Sequence, residues 1–97
     1  MTKAYWVVMY RAIRDPDALV EYAKVAAPAV QAGGGRFVAR GNAVRAYELG
    51  QTLRTVVVEF ESLEKAIAAH DSAGYQAAVK LLGSSVDRDF RIVEGAA

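Results

Sequence analysis

"QAGGGRFVARG", residues 31–41, decides how the chain is divided. Three glycines separate a stretch with helical apolar spacing from one that alternates. A phosphate-binding loop runs from a strand through glycines into a helix N-terminus, where free N–H groups face the anion. Here the order is helix, glycines, strand, and neither the G-x-G-x-x-G nor the P-loop spacing is met. Glycines that follow the last periodic residue instead suit the left-handed closure of a helix. The stretch predicts a helix end at 33–35, positive φ at one of these glycines, and no phosphate site.

Working outward, "DPDALVEYAKVAAPAVQA" (15–32) predicts the helix. Asp15 is a good N-cap, and Pro16 stands where its missing N–H costs nothing. Leu19, Tyr22, Ala23, Ala26 and Val30 share one face, while Pro28 predicts a kink or break near the last turns. "AYWVVMY" (4–10) reads as a strand that Arg11 ends. "RFVAR" (36–40) is the next strand. Gly41-Asn42 marks a bend or bulge, and "VRAYEL" (44–49) is expected to continue as an extended segment. "TVVVEF" (55–60) is the clearest strand. Ser62 caps a helix through "LEKAIAAH", and Asp71 or Ser72 caps a second piece whose Tyr75, Ala78, Val79 and Leu82 share a face. "RDFRIVEG" (88–95) is the last strand. The order β-α-β-β-α-β predicts an α+β, ferredoxin-like domain over 1–97, an antiparallel sheet with helices on one face.

Composition narrows the function classes. A formal charge of +1 offers no field to steer nucleic acid or an anionic membrane. The absence of cysteine excludes disulfides and thiolate catalysis. One histidine and no ligand spacing argue against a metal, and nothing suggests a cofactor. The apolar run at 4–10 is too short to span a membrane and lacks a signal-peptide cleavage site, so a cytoplasmic protein is expected.

Strand alternation sorts side chains onto two faces. Phe37, Ala39, Val56, Val58, Phe60, Phe90 and Ile92 form an apolar set assigned to the helices. Arg36, Val38, Arg40, Thr55, Val57, Glu59, Asp89, Arg91 and Val93 form a mixed set. Two helices cover only one face, and the valines of the other make a patch that monomers rarely expose. A homodimer joined through these sheet faces is therefore expected. Arg40 is expected on the mixed face, paired with Glu59.

"KAYWVV", "DPDALVEY", "GGGRFVARG", "VVVEFESLEKAIAAHDSAGYQAA" and "DFRIVEG" resemble, in order and spacing, the bacterial family called domain of unknown function 1330. The resemblance runs from Lys3 to Gly95 and implies the dimeric α+β-barrel superfamily. That superfamily includes cofactor-independent monooxygenases, muconolactone isomerases and heme-degrading enzymes, and fold alone does not choose among them. The family often has an aromatic residue at the position of His70, an acid at Gly74 and an arginine near Leu82, so this chain departs from it there.

Two functions stay open. The first is a cofactor-independent enzyme of oxygenase or isomerase type acting on a small organic molecule. In it His70, Tyr22 or Tyr75 would move protons and Arg40 would orient an anionic group, with Trp6 and Glu59 as further ligand contacts. The second is a non-catalytic dimer that binds a metabolite or a protein. Each candidate also has a structural reading: His70 at a helix end, Arg40 and Glu59 in an ion pair, and Trp6, Tyr10, Tyr22 and Tyr75 as core. Asp71 adjoins His70 in sequence but is not expected to face it.

Overall fold

The computed structural model describes residues 2–96. The elements are β1 (Ala4–Ile13), α1 (Pro16–Ala32), β2 (Arg36–Asn42), β3 (Arg54–Phe60), α2 (Leu63–Asp71), α3 (Ala73–Leu82) and β4 (Val86–Glu94). The four strands form one antiparallel sheet in the order β2-β3-β1-β4. The fold is ferredoxin-like, with the helical segments on one face, as the sequence predicts.

Local chemistry explains the boundaries. Asp15 accepts from the N–H groups of Asp17 and Ala18, and Pro16 opens α1. Ser62 and Ser72 cap α2 and α3 through the N–H groups of Lys65 and Tyr75. At the end of α1, Gly34 donates to Gln31 and Gly35 to Val30, with Gly34 at φ 90°. This is the Schellman closure, and it confirms the expected positive-φ glycine. The neighbours are glycines for another reason. A Cβ on Gly35 would lie 2.6 Å from Val30 Cγ1 and 2.8 Å from the Phe60 ring, and one on Gly33 would lie 2.7 Å from Ala69 Cβ. One glycine supplies the backbone conformation and two supply the close approach of α1 to β3 and α2.

The core lies between sheet and helices. Trp6, Val8 and Tyr10 of β1 and Val56, Val58 and Phe60 of β3 meet Tyr22, Ala26 and Val30 of α1 and Tyr75, Ala78 and Leu82 of α3. Trp6 is its centre: its ring lies 4.9–5.1 Å from those of Tyr75, Phe60 and Phe90, and its indole N–H donates to the Ala66 carbonyl at 2.9 Å. That bond satisfies the polar atom that burial would otherwise penalise.

Several expectations are corrected. β1 does not stop at Arg11 but continues to Ile13 across a bulge between Tyr10 and Ala12. α1 runs through Pro28 without breaking. Pro28 and Lys24 are both exposed, so water can serve the Lys24 carbonyl that loses its helical donor. Residues 44–49 form a loop with a turn at 48–49, not an extended strand segment. Most important, β2 carries a bulge between Phe37 and Ala39. Phe37 pairs with Val58, Ala39 with Val57 and Arg40 with Val56. The extra residue, Val38, reverses the alternation beyond it. Ala39 therefore leaves the core face and is exposed, while Arg40 moves onto the helix side.

Candidate functional site

The sheet's helix-side face and α1 enclose a narrow cleft of about 40 Å³. Trp6, Val8 and Tyr10 form its floor with Val56 and Val58, and Ala23, Ala26 and Ala27 of α1 form its roof. The alanines explain the slot: small side chains on this stretch of α1 leave space above the sheet unfilled. Aromatic and guanidinium groups close the ends.

At one end Arg88 of β4 meets two tyrosines. The Tyr22 and Tyr75 hydroxyls lie 2.6 Å apart, and Arg88 Nη1 donates to them at 3.2 and 3.3 Å. The guanidinium also stands 5.3 Å from the Tyr22 ring centre, 5.4 Å from Phe90 and 5.7 Å from Tyr10, within cation–π range. Burial pushes the Tyr22 hydroxyl well above its ordinary titration range, reinforced by Tyr75 and opposed by Arg88. Tyr10 is also raised, again chiefly by burial. The Tyr22 hydroxyl is therefore neutral at physiological pH, able to donate or relay a proton but not to act as a tyrosinate base.

At the other end lie Arg40 and Arg54. The Arg40 guanidinium sits 4.3 Å from the Phe37 ring centre. Arg54 Nε is covered and has no hydrogen-bond partner.

Of the sequence candidates, Trp6, Tyr22, Tyr75 and Arg40 come together along this cleft, as does Tyr10. Glu59 lies on the opposite sheet face. It accepts from Arg36 at 2.9 Å, Tyr5 at 3.1 Å and Lys3 at 3.2 Å, and these bonds, Arg36 first, hold its carboxyl down to about 2. The expected Arg40–Glu59 pair does not form, because the bulge puts the two residues on different sides of the sheet. His70 is outside the cleft lining. Its ring packs 5.2 Å from Phe90, 5.6 Å from Tyr75 and 6.2 Å from Trp6. Against expectation, His70 Nδ1 does reach Asp71 Oδ1, at 2.9 Å. α2 ends at Asp71, and Ser72 is already extended, which frees the carboxylate to turn back.

Arg88 and Arg54 escape the sequence reading, although a signal existed. Arg88 shares strand parity with Phe90 and Ile92, and Arg54 with Val56 and Val58, so both lie on the core side. A charge at a position of core parity marks either a fray or a site.

The chain belongs to the family described as domain of unknown function (DUF1330), whose model matches residues 3–96. No functionally curated protein matches the sequence. Among solved structures, it is similar to a protein of unknown function from Rhodopseudomonas palustris, with TM-score 0.74 and 15% identity over 99% of this chain and 84% of that one. It is similar to a dimeric ferredoxin-like protein of unknown function from Thermobifida fusca, with TM-score 0.68 and 16% identity over 96% and 91%. It is also similar to SnoaB, a cofactor-independent oxygenase from Streptomyces nogalater, with TM-score 0.63 and 11% identity over 100% and 96%. At these identities the likeness establishes the fold.

Proposed function

We propose that this protein is a homodimeric enzyme that acts without a cofactor on a small organic molecule in the sheet–helix cleft, in an oxygenase- or isomerase-type reaction. The observation that carries the reading is the Arg88–Tyr22–Tyr75 cluster. Both reaction types pass through a substrate carbanion, formed here when a substrate acidic enough to do so gives its proton to solvent water, and its charge is delocalised onto an enolate or phenolate oxygen. Such an oxygen, seated beside Arg88, would meet a fixed cation and hydroxyl donors already oriented by one another. Preorganised donors in a dry site stabilise developing charge without reorganisation. Trp6 forms the apolar floor, and His70, behind the Trp6 and Tyr75 rings, supports them from outside the cleft.

The dimer rests on the other sheet face. Met9, Val38 and Val93 are exposed there beside the half-buried Val7 and Val57, and structural relatives from Thermobifida fusca and Bacteroides fragilis are described as dimeric. A second copy packed on this face would cover the patch isologously. Among the described residues no helix is long and apolar enough to cross a membrane.

A non-catalytic binding role is the second reading, favoured by one observation: neither a carboxylate nor the histidine lines the cleft to serve as base. Solvent deuterium exchange and oxygen uptake, measured with a panel of small ketones and phenols, separate the two. The enzyme reading predicts exchange or uptake that falls at least tenfold in Arg88→Gln. Saturable binding with neither activity, across the panel, would replace it with the binding role.

A further inference from the structure

The cleft contains three guanidinium groups and no acid. Arg40, Arg54 and Arg88 line it, and among the described residues none lies within 4.0 Å of a carboxylate. The contrast within the chain is sharp: Arg11 and Arg91 hold Asp89, Arg14 holds Asp87, and Arg36 holds Glu59. A half-buried cation without a counter-charge is costly, and Arg54 adds a covered N–H with no acceptor. The lining therefore lacks an anion at the Arg40–Arg54 end.

Strand pairing fixes where the charges sit. Arg88 pairs with Tyr10 on β1, Arg40 pairs with Val56 on β3, and Arg54 lies two residues before Val56 on the same face. Across β3, β1 and β4, Arg54, Tyr10 and Arg88 form one row, and Arg40 on β2 stands diagonally beside Arg54, level with Val56. Arg54 and Arg88 stand two strand spacings apart, about 10 Å at the backbone. The site thus has two poles. At one, Arg88 carries the two tyrosine hydroxyls. At the other, Arg40 and Arg54 offer only N–H donors in fork geometry, which suits a carboxylate. Between them lies the thin apolar slot under the alanines of α1.

We propose that the ligand is a small, flat oxo- or hydroxy-carboxylate that spans the row. Its carboxylate binds Arg40 and Arg54, and its carbonyl or hydroxyl oxygen binds the Arg88–Tyr22–Tyr75 cluster. The second assignment rests on the function proposed above, whereas the first does not. Entry requires the slot to widen from its empty 40 Å³. Arg40 is the part free to move, being exposed and held over Phe37 without an ion pair.

Isothermal titration with 4-hydroxybenzoate, 4-hydroxybenzamide and benzoate tests this. The amide keeps the shape and removes only the charge. The carboxylate should bind at least about tenfold more tightly than the amide, the usual effect of charge-assisted bonds. Arg40→Gln and Arg54→Gln should bring that ratio towards one by weakening the acid much more than the amide. Arg54→Lys, which keeps the charge but loses the fork, should give an intermediate ratio and guards against misfolding of the glutamine variant. Arg88→Gln should keep the ratio but abolish the preference for 4-hydroxybenzoate over benzoate. Equal affinity for acid and amide, a ratio insensitive to both glutamine substitutions, or no binding of any probe would overturn the proposal. A carboxylate preference without exchange or oxygen uptake would leave this inference standing and remove the enzyme reading. Turnover of neutral ketones or phenols with no carboxylate preference would do the reverse.

Discussion

The hydroxyls of Tyr22 and Tyr75 stand 2.6 Å apart in the interior, 53 residues apart in sequence, and one guanidinium nitrogen of Arg88 donates to both. The arrangement satisfies three polar groups at once at the wall of a cleft. It also makes their energies interdependent, because each hydroxyl has the other as a second partner.

Removing one hydroxyl should cost about 0.5–1.5 kcal/mol, the net worth of a buried neutral hydrogen bond. Urea unfolding of Tyr22→Phe, Tyr75→Phe and the double variant should show a coupling of about 0.5 kcal/mol or more, as contacting residues in one network do. Strict additivity would show that the two hydroxyls do not act as a unit.

The same burial sets an alkaline limit. The folded Tyr22 pKa is raised above its ordinary value near 10, so its contribution is fully present below pH 10. It is lost as pH rises above 10, because the unfolded chain releases the proton first. Stability should fall in this range, and Tyr22→Phe should fall less steeply. Equal slopes would contradict the assignment.

Glu59 acts at the other end of the scale. Its folded pKa of about 2 lies below the ordinary 4.5. Its contribution is present above pH 4.5 and is lost as pH falls towards 2, because the unfolded chain binds the proton first. Glu59→Gln should flatten the stability curve between these values, followed by circular dichroism. Arg36→Ala should weaken the effect, whereas Arg40→Ala should leave it unchanged, since Arg40 lies across the sheet.

Gly34→Ala should destabilise by about 1 kcal/mol through its left-handed backbone alone. Gly35→Ala should cost more, because its methyl would overlap Val30 and Phe60. Denaturant midpoints rank the two, and the reverse order would contradict the close-approach role of Gly35.

Sedimentation at micromolar concentration should report twice the chain mass. Val57→Arg, which puts a charge into the middle of the mixed face, should shift the protein towards a folded monomer. A wild-type monomer would overturn the dimer, and an unchanged dimer in the variant would place the interface elsewhere.

By itself the sequence determined whatever depends on neighbours along the chain. Caps at Asp15 and Ser62, a cap at Asp71 or Ser72, the glycine closure of α1 and the core face of β3 follow from spacing and side-chain chemistry within a few residues. These suffice for the element order and hence the fold. They also placed Tyr22 and Tyr75 on the apolar faces of their helices, so part of the cleft was legible, whereas β1 is apolar on both faces and only packing turned Trp6 inward. Arg88 was legible too, by parity with Phe90, but needed a partner to acquire meaning. The tertiary structure alone decided the rest. One extra residue at Val38 reverses the parity of β2, and whether a strand absorbs such a residue depends on pairing with β3, not on β2 itself. That bulge carries Arg40 away from Glu59 and to the Arg54 end of the cleft. The junction of Tyr22, Tyr75 and Arg88 is likewise decided by packing, because hydrogen bonds between distant segments have no signature in the local periodicity of any one of them.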